Sequence, residues 1–364
     1  MAEFQEIAHS GGKLELLFQE PDSVALQFSS GTAGGMGLFQ VGVSLDGKIL
    51  EYWPIRGMDM REPEPPSPMV PAFIISDRER LYGRTCPKCR SYFRISSPGK
   101  IGICPYCAHR DRNIAFTTKN QLQFINKIRE SFIAAFKEKH SITIDLDKLA
   151  DELPENRPAW VYSEERQQNA FQCPNCKTNY DILGEYAGCP NCGKRNSLQV
   201  FERRVTEVEQ QFTKADAELT VRHEREVEWE KLTRCISDFE AMARDIQSQL
   251  LLLPATPKRK KDIESLSFQS ILKANDCLRE WFGFEMLFHF SDEDKIFLNR
   301  MFNRRHILIH NGGRIDQKYL DNTGDTSVRL NQQIVVRSSE IRRLIPLLKK
   351  CAEYLFQGFE SINY

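Results

Sequence analysis

The sequence predicts a multidomain α+β protein, because three different patterns follow one another along its 364 residues. Alternating apolar residues around Asp46-Gly47 indicate β structure near the N-terminus. Eight of the eleven cysteines then form four Cys-Pro-x-Cys pairs, and apolar residues at steps of three and four indicate helices from there to the C-terminus. The predicted division is a β-rich segment with a proline-rich linker over 1–77, cysteine modules over 78–116 and 166–202, a helical connector over 117–165, and an all-α four-helix bundle with a long entry helix over 203–364.

The first segment combines strand and linker signals. In VGVSLDGKILEYWPI, Asp46-Gly47 suits the positive φ angles of a type I′ turn between two strands. Proline has no amide donor for a helix or ladder, so an extended linker is expected at Pro63, Pro65, Pro66, Pro68 and Pro71. The glycine-rich GTAGGMG lacks the Gly-Lys-Ser/Thr ending of a phosphate-binding loop, and we interpret it as a mobile loop.

The two cysteine modules have the spacing of zinc ribbons. Each reads Cys-x2-Cys twice, which places four thiolates on two tight turns that a short hairpin brings together. Zinc would replace a hydrophobic core that is too small to fold alone. The two modules also resemble each other, which indicates an internal duplication. The predicted ligands of the two structural Zn²⁺ ions are Cys86, Cys89, Cys104, Cys107, Cys173, Cys176, Cys189 and Cys192.

Other readings of the cysteines fit less well. No secretion signal precedes them, which disfavours disulfides, and iron–sulfur clusters use other spacings. A catalytic zinc keeps an open position, whereas two complete four-cysteine sets leave none, so no catalytic metal is expected. Cys235, Cys277 and Cys351 stand alone in helical patterns and are expected in the core.

The charge is balanced overall but unevenly distributed. Fifty basic and fifty acidic side chains give a net charge of zero, which excludes a uniformly basic nucleic-acid coat protein. Residues 1–77 carry −7, which suggests an acidic lid, whereas residues 78–129 carry +10. Cations beside aromatic rings suit a phosphate backbone with unstacked bases, although a solvated surface is the alternative. The predicted nucleic-acid-binding residues of the first module are Lys88, Arg90, Tyr92, Arg94, Lys100, Arg110 and Arg112.

Helical periodicity dominates the remaining sequence. Thr118 can cap a helix between the modules, and a heptad-like seam through Val205 and Val208 either pairs with a second copy or packs on the neighbouring helices. Four further helices are predicted around Trp229–Ile246, Phe268–Trp281, Asp292–Ile309 and Ile341–Phe356. The basic cluster at 258–261 is expected in a turn, either solvated or in contact with RNA phosphate.

The third of these helices ends in NRRHILIHNGG, which gathers the groups that metal-free RNA cleavage requires. Arg304, Arg305, His306, His310 and Asn311 combine two cations, two imidazoles and an amide within eight residues. A base removes the 2′-hydroxyl proton, an acid protonates the leaving 5′-oxygen, and cations stabilise the charged phosphorane.

The pattern Arg305-His306-x3-His310-Asn311-x-Gly313 resembles the Arg-x4-6-His motif of the HEPN superfamily, in its Arg-polar-x3-His form. That resemblance implies a helical, metal-independent endoribonuclease that acts as a homodimer, in toxin–antitoxin, abortive-infection or other antiphage systems. It further implies that Arg305 holds the phosphate, that His310 acts as acid or base, and that His306 is the polar partner. Arg304 also satisfies the allowed spacing. The resemblance covers about residues 220–364 and says nothing of the first 200.

Helix geometry adds a constraint on this motif. At 100° per residue, Arg305 and His310 lie 140° apart around the axis, whereas His306 and His310 lie 40° apart. Arg305 and His310 therefore converge only if the helix loosens near Gly312 or if two motifs meet in a dimer. A metal on the two histidines is the minor alternative, since no Glu follows the first one as in HExxH. The remaining alternative is a polar helix end that only mediates dimerisation.

These observations predict a ribonuclease of HEPN type, with RNA as substrate and with ribbons that bind nucleic acid or a regulatory protein. The competing prediction is a non-catalytic nucleic-acid-binding or adaptor protein that uses its helices to dimerise. The N-terminus has glutamates where a signal peptide needs a basic start, and no apolar run approaches membrane-span length. A cytoplasmic protein without membrane contact is therefore expected.

Overall fold

The computed structural model describes residues 4–8, 12–19, 23–30, 38–44, 49–55, 69–75, 81–96, 101–152, 161–164, 168–212 and 221–362. The chain divides into two compact units, Met1–Arg195 and Asn196–Tyr364. The first unit mixes small sheets with short helices, and the described part of the second unit is almost entirely helical. The mixed α/β composition expected from the sequence is therefore confirmed.

The first unit contains fourteen strands and two helices among its described residues. Its strands are β1 (Phe4–Ala8), β2 (Gly12–Gln19), β3 (Ser23–Ser30), β4 (Leu38–Ser44), β5 (Ile49–Ile55), β6 (Met69–Ile75), β7 (Tyr82–Thr85), β8 (Tyr92–Ile95), β9 (Ile101–Ile103), β10 (Arg110–Arg112), β11 (Ile142–Asp145), β12 (Val161–Glu164), β13 (Gln168–Gln172) and β14 (Asn179–Leu183). Its helices are α1 (Lys119–Glu138) and α2 (Leu146–Asp151), and a 3₁₀ turn spans Asn113–Phe116.

Antiparallel pairing joins these strands into small sheets. The orders are β5-β4-β6, β11-β2-β3, β13-β14-β8-β7, β1-β12 and β10-β9. The hairpin expected around Asp46-Gly47 is present, since β4 pairs with β5, although the turn lies outside the described residues. Pro71 lies inside β6, opposite Gly42, rather than in a linker. Among the described residues β6 pairs only with β4, and a strand with one neighbour tolerates proline, which has no amide proton. The prolines at 63–68 and the GTAGGMG loop also lie outside the described part of the chain.

Helix α1 packs against the β11-β2-β3 sheet and forms one apolar core of this unit. Thr118 caps it as expected, accepting a hydrogen bond from the Gln121 amide while the Gln121 side chain accepts one from the Thr118 amide. The residues buried between helix and sheet are Leu14, Leu16, Phe124, Ile128, Phe132, Ala135, Ile144 and Leu146. The connector 117–165 is therefore not wholly helical, because β11 and β12 pair with β2 and β1 of the N-terminal segment. Periodicity within the connector cannot reveal such long-range partners.

The second unit contains α3 (Ser197–Gln211), α4 (Val221–Leu250), α5 (Pro257–Glu264), α6 (Ile271–Phe282), α7 (Asp292–Asn311), α8 (Gln317–Thr323) and α9 (Ser338–Ile362). Helices α4, α6, α7 and α9 lie where the apolar periodicity predicts helices. Helix α8 was not predicted, and the basic cluster 258–261 lies in α5 rather than in a turn. No helix among the described residues is long and apolar enough to cross a membrane.

One continuous apolar core joins α3 to α4, α5, α6, α7 and α9, while Tyr319 of α8 belongs to a smaller cluster with Ile307. Val205 and Val208 of α3 are fully buried in the same cluster as Leu232, Phe239 and Leu348. The seam through these valines therefore packs on the neighbouring helices, while its continuation at Ala215 and Leu219 lies outside the described residues. Cys235 and Cys351 are buried in this core as expected, whereas Cys277 is only half-buried.

Candidate functional site

The four Cys-Pro-x-Cys turns have one common backbone conformation. The residue after each second cysteine is left-handed, with φ of +61° at Arg90, +56° at Ala108, +61° at Lys177 and +82° at Gly193. The amide of each of these residues donates to the carbonyl of the first cysteine, over 2.9, 3.1, 2.9 and 2.8 Å respectively. This tight turn points both thiols of a pair toward the same side, as a shared metal ion requires.

The eight thiols gather into two clusters of four, with the membership that the spacing predicts. All sulfurs of a cluster lie within 4.8 Å of one another. Cross-pair Sγ–Sγ distances are 3.5 Å for Cys89–Cys104 and 3.8 Å for Cys86–Cys107. A tetrahedral ion with bonds of about 2.3 Å separates its sulfurs by about 3.8 Å, whereas a disulfide holds them at about 2.05 Å. Both clusters therefore fit one four-coordinate metal ion each, and all eight cysteines are free of disulfides.

Polar neighbours favour the thiolate form at the more accessible ligands. Burial opposes ionisation of Cys89, but hydrogen bonds from Ser91 outweigh it and lower the pKa of this thiol to about 7. Burial is likewise outweighed at Cys176, where hydrogen bonds from Thr178 lower the pKa to about 6. Since thiolates are the species that bind metal, these hydrogen bonds favour metal binding at one cysteine of each cluster, whereas burial raises the pKa of Cys104, Cys107, Cys173 and Cys189.

The two ribbons, residues 78–116 and 166–202, share one sheet. Strand β8 of the first ribbon pairs with β14 of the second, with Arg94 opposite Asp181. The Ile103 amide donates to the Pro190 carbonyl and the Gly188 amide to the Pro105 carbonyl. Cys86 matches Cys173 and Cys104 matches Cys189 in the duplicated sequence, so these paired contacts obey an approximate two-fold axis. The two ribbons therefore form a single pseudosymmetric module.

Arg94 is a correction to the predicted nucleic-acid-binding set. Its side chain is buried, and its Nε donates to Asp181 over 2.6 Å. The charge is neutralised at the centre of the shared sheet and does not reach a polyanion. Tyr92 is half-buried, and its carbonyl accepts a hydrogen bond from the Tyr106 hydroxyl. Lys100 lies outside the described residues, and the exposed members of the set are Lys88, Arg90, Arg110 and Arg112.

The two arginines of the α7 motif turn into the second unit instead of toward solvent. Arg304 is 5% exposed; its Nη1 donates to Glu340 over 2.7 Å, and its Nε donates to the Tyr319 hydroxyl over 3.3 Å. Arg305 is 8% exposed and donates to Glu240 over 3.2 Å and to Ser237 over 3.1 Å. Both guanidinium groups already have carboxylate partners, which disfavours the phosphate-binding role that the motif suggests for them.

The two histidines of the motif lie together on a different face of α7. The rings of His306 and His310 have centroids 4.6 Å apart, as expected for residues four positions apart in a helix. His306 is half-buried and His310 is exposed. Asn311, also exposed, donates its side-chain amide to the Arg314 carbonyl over 2.7 Å and so closes the helix end. The sequence thus correctly predicts that the two histidines are neighbours, whereas the Asn311 side chain hydrogen-bonds to the backbone.

His306 lines a cleft of about 400 Å³ between α6, α7 and α8. One wall is formed by Lys273, Cys277 and Trp281, which recur every four residues along α6. The other walls are formed by Asn303 and His306 of α7 and by Lys318 and Asn322 of α8. The floor belongs to the segment 265–270 that precedes α6. The cleft therefore combines an imidazole, two ammonium groups, three side-chain amides and an indole.

The surroundings of His306 favour the neutral form of its imidazole, although the charge of Asp316 acts in the opposite direction. Burial lowers the pKa of this imidazole below its ordinary value, and the nearby charges of His310, Lys318 and Arg305 act in the same direction. Neutral imidazole accepts a proton near pH 7, which is what a general base must do. Cys277 is no rival nucleophile, because burial raises the pKa of its thiol.

Among the cleft residues that sequence reasoning missed are Lys273, Trp281, Asn303, Lys318 and Asn322. One signal was available, since Asn299, Asn303, His306 and His310 recur at steps of four, three and four and make one polar stripe along α7. Nothing in the sequence shows that the stripe faces Lys273 and Trp281, which belong to another helix. The short helix α8 that supplies Lys318 lacked a strong periodic pattern.

Comparison with known proteins adds no assignment. We found no family model, no curated protein and no solved structure that matches this chain.

Proposed function

We propose that this chain is a metal-independent endoribonuclease of HEPN type whose active site is the cleft between α6, α7 and α8. The observation that carries the proposal is the placement of His306 in the cleft, with the His310 ring 4.6 Å away. His306 shares the cleft with Lys273 and Lys318, and His310 lies next to His306 on α7. Together these side chains would supply the acid, base and cations of RNA cleavage by 2′-hydroxyl attack.

In the proposed reaction, His306 takes the proton of the 2′-hydroxyl group, and the 2′-oxygen attacks the adjacent phosphorus. The P–O5′ bond breaks as the new P–O2′ bond forms, and His310 donates a proton to the leaving 5′-oxygen. The products are a 2′,3′-cyclic phosphate and a free 5′-hydroxyl. Lys273 and Lys318 stabilise the negative charge of the phosphorane, the role that the motif alone assigned to Arg304 and Arg305.

Zinc has a structural role in this proposal. Each four-cysteine cluster offers a closed tetrahedral set of thiolates, which suits Zn²⁺ and leaves no open coordination position. The ion's charge and four bonds would hold the turns of both ribbons in place. The reaction itself uses only side chains of the second unit.

The test is cleavage of end-labelled RNA by the full chain in EDTA, with zinc content measured afterwards. His306→Ala and His310→Ala should each reduce the rate by about 100-fold or more, the contribution of a general acid or base. His289→Ala is the matched control, because His289 is an exposed histidine of the same unit that does not line the cleft. Full activity in His306→Ala would refute the assignment.

A second candidate is a non-catalytic nucleic-acid-binding or adaptor protein. The observation in its favour is that both motif arginines pair with buried carboxylates, Arg304 with Asp325 and Arg305 with Glu240. Here the full chain would bind RNA without cleaving it, through the exposed cations of the first ribbon. Arg90→Gln with Arg110→Gln should then lower affinity for single-stranded RNA and flatten its salt dependence, by about 0.7 in the log–log slope for each phosphate that the variant no longer neutralises. Lys137→Gln with Lys139→Gln, exposed on α1, is the control.

A further inference from the structure

Trp281 occupies an unusual position for a helix-surface indole. It follows Lys273 and Cys277 on the wall of α6 that lines the cleft, and it is half-buried there. The Arg259 guanidinium lies 5.2 Å from the centroid of the indole ring. A cation over the ring face restrains the indole and adds positive charge beside the cleft.

The remaining lining groups suit one nucleotide. Lys273 and Lys318 supply exposed ammonium groups from two different helices, and Asn303 and Asn322 supply amides that can hydrogen-bond base edges. A cleft of about 400 Å³ lies at the small end of the range for ligand pockets, far below the size of a duplex. A base must therefore be unstacked from its neighbours before it enters.

We infer that the cleft is a binding site for a single unpaired nucleotide of RNA, with Trp281 as the stacking platform for its base. Lys273 and Lys318 contact the flanking phosphates. This inference rests on the proposed function, since the bound nucleotide is the one that His306 then faces. It makes single-stranded RNA the substrate class and duplex RNA a poor ligand of the cleft.

The experiment measures binding to the full chain of a short single-stranded oligonucleotide with 2′-O-methyl groups, which has no attacking hydroxyl. Trp281→Ala should weaken this binding by about 5- to 100-fold, the loss expected for one base–aromatic stack, and Trp281→Phe should restore most of it. Lys273→Gln, an exposed change in the same cleft, should also weaken it. The control is Phe288→Ala, which removes a 67% exposed ring of the same unit outside the cleft.

Two further ligands complete the experiment. A duplex of the same sequence should bind Trp281→Ala and the parent equally, and a free mononucleotide should bind weakly but with the same dependence on Trp281. Unchanged single-strand affinity in both Trp281→Ala and Lys273→Gln would overturn the inference, as would an equal loss of duplex affinity. Trp281-dependent binding in a chain that cleaves no RNA would refute the ribonuclease proposal and keep the nucleotide site.

Discussion

Arg304 and Arg305 are neighbours in the sequence but belong to two separate buried networks. Arg304 joins Asp325, Glu340 and Tyr319, whereas Arg305 joins Glu240 on α4, which is 65 positions away in the chain. Removing one partner of a buried pair leaves the other charge uncompensated, so these residues stabilise the helical unit. The sequence displays the arginines but not their distant carboxylates, which is why the motif alone suggested a phosphate-binding role.

Asp325 should be the most acid-sensitive part of the Arg304 network. Burial opposes its ionisation, but hydrogen bonds from Ser327 and Tyr319 and the charge of Arg300 outweigh burial and lower its pKa to about 2. A depressed carboxyl pKa stabilises the fold above the ordinary value of about 3.9. That stabilisation, about 2 to 3 kcal/mol, should be lost as the pH falls from about 4 to 2.

Asp325→Asn should therefore destabilise the protein by about 2 to 3 kcal/mol at pH 7, measured by urea unfolding followed by circular dichroism. Below pH 2 the difference from the parent should vanish, because both residues are then neutral. Asp321→Asn, an exposed change on α8, is the control. Equal stability of parent and Asp325→Asn at pH 7 would contradict the network.

The protonation state of His306 offers a direct test of the cleft. Because burial and the neighbouring charges lower its pKa, an NMR titration of its Cε1 proton should give a midpoint below about 6.5. Lys318→Gln removes one of those charges and should move the midpoint upward. Lys295→Gln, at the far end of α7, should leave it in place. A midpoint above 6.5 would show that burial and the neighbouring charges do not lower the pKa of His306.

The ribbons show how elements combine in ways that spacing alone does not reveal. Cysteine spacing predicts both clusters correctly, because each turn is a local structure. It treats the ribbons as separate domains, whereas β8 and β14 pair across an approximate two-fold axis. The sequence predicts that Arg94 binds nucleic acid, because its ion-pair partner Asp181 lies 87 positions away and no local pattern reveals the pair. The shared sheet makes the ion pair at its centre a structural element of the first unit.

Breaking this pair should cost about 3 to 5 kcal/mol, since either single change leaves a buried charge without its partner. Arg94→Ala or Asp181→Ala should therefore lower the free energy of unfolding of the first unit by that amount. The double variant Arg94→Ala/Asp181→Ala should be more stable than the sum of the single losses predicts. Lys127→Ala is the comparison, since its pair with Glu152 is exposed and worth less than about 1 kcal/mol. Strictly additive losses would show that the two residues do not interact.

At the level of the entire chain, the two units depend on different sources of stability. The first has small sheets and two four-cysteine clusters, while the second has a continuous apolar core that runs from Phe201 to Phe359. Apolar periodicity predicts that core well, because long amphipathic helices carry their signal locally. The cleft depends on how α6, α7 and α8 meet, which no local pattern encodes.

Removal of metal by a chelator should therefore affect the stability of the two units differently. Strong chelator should remove two zinc ions per chain and unfold the ribbons, while the helical circular dichroism of the second unit remains. Cys104→Ala should lower the zinc content, measured by mass spectrometry, and Cys235→Ala should not, because Cys235 is buried in the helical core. Loss of the helical signal together with zinc would show that the second unit is not independently stable.

The central claim is that His306 and His310 cleave RNA by attack of a 2′-hydroxyl group. Its most direct test is an RNA oligomer with a 2′-deoxy nucleotide placed at the site where the full chain cuts. Cleavage at the 2′-deoxy position should stop. The unmodified RNA should yield a 2′,3′-cyclic phosphate and a free 5′-hydroxyl, and His306→Ala should prevent the formation of both. Cleavage at the 2′-deoxy position, or products with 5′-phosphate ends, would contradict the claim.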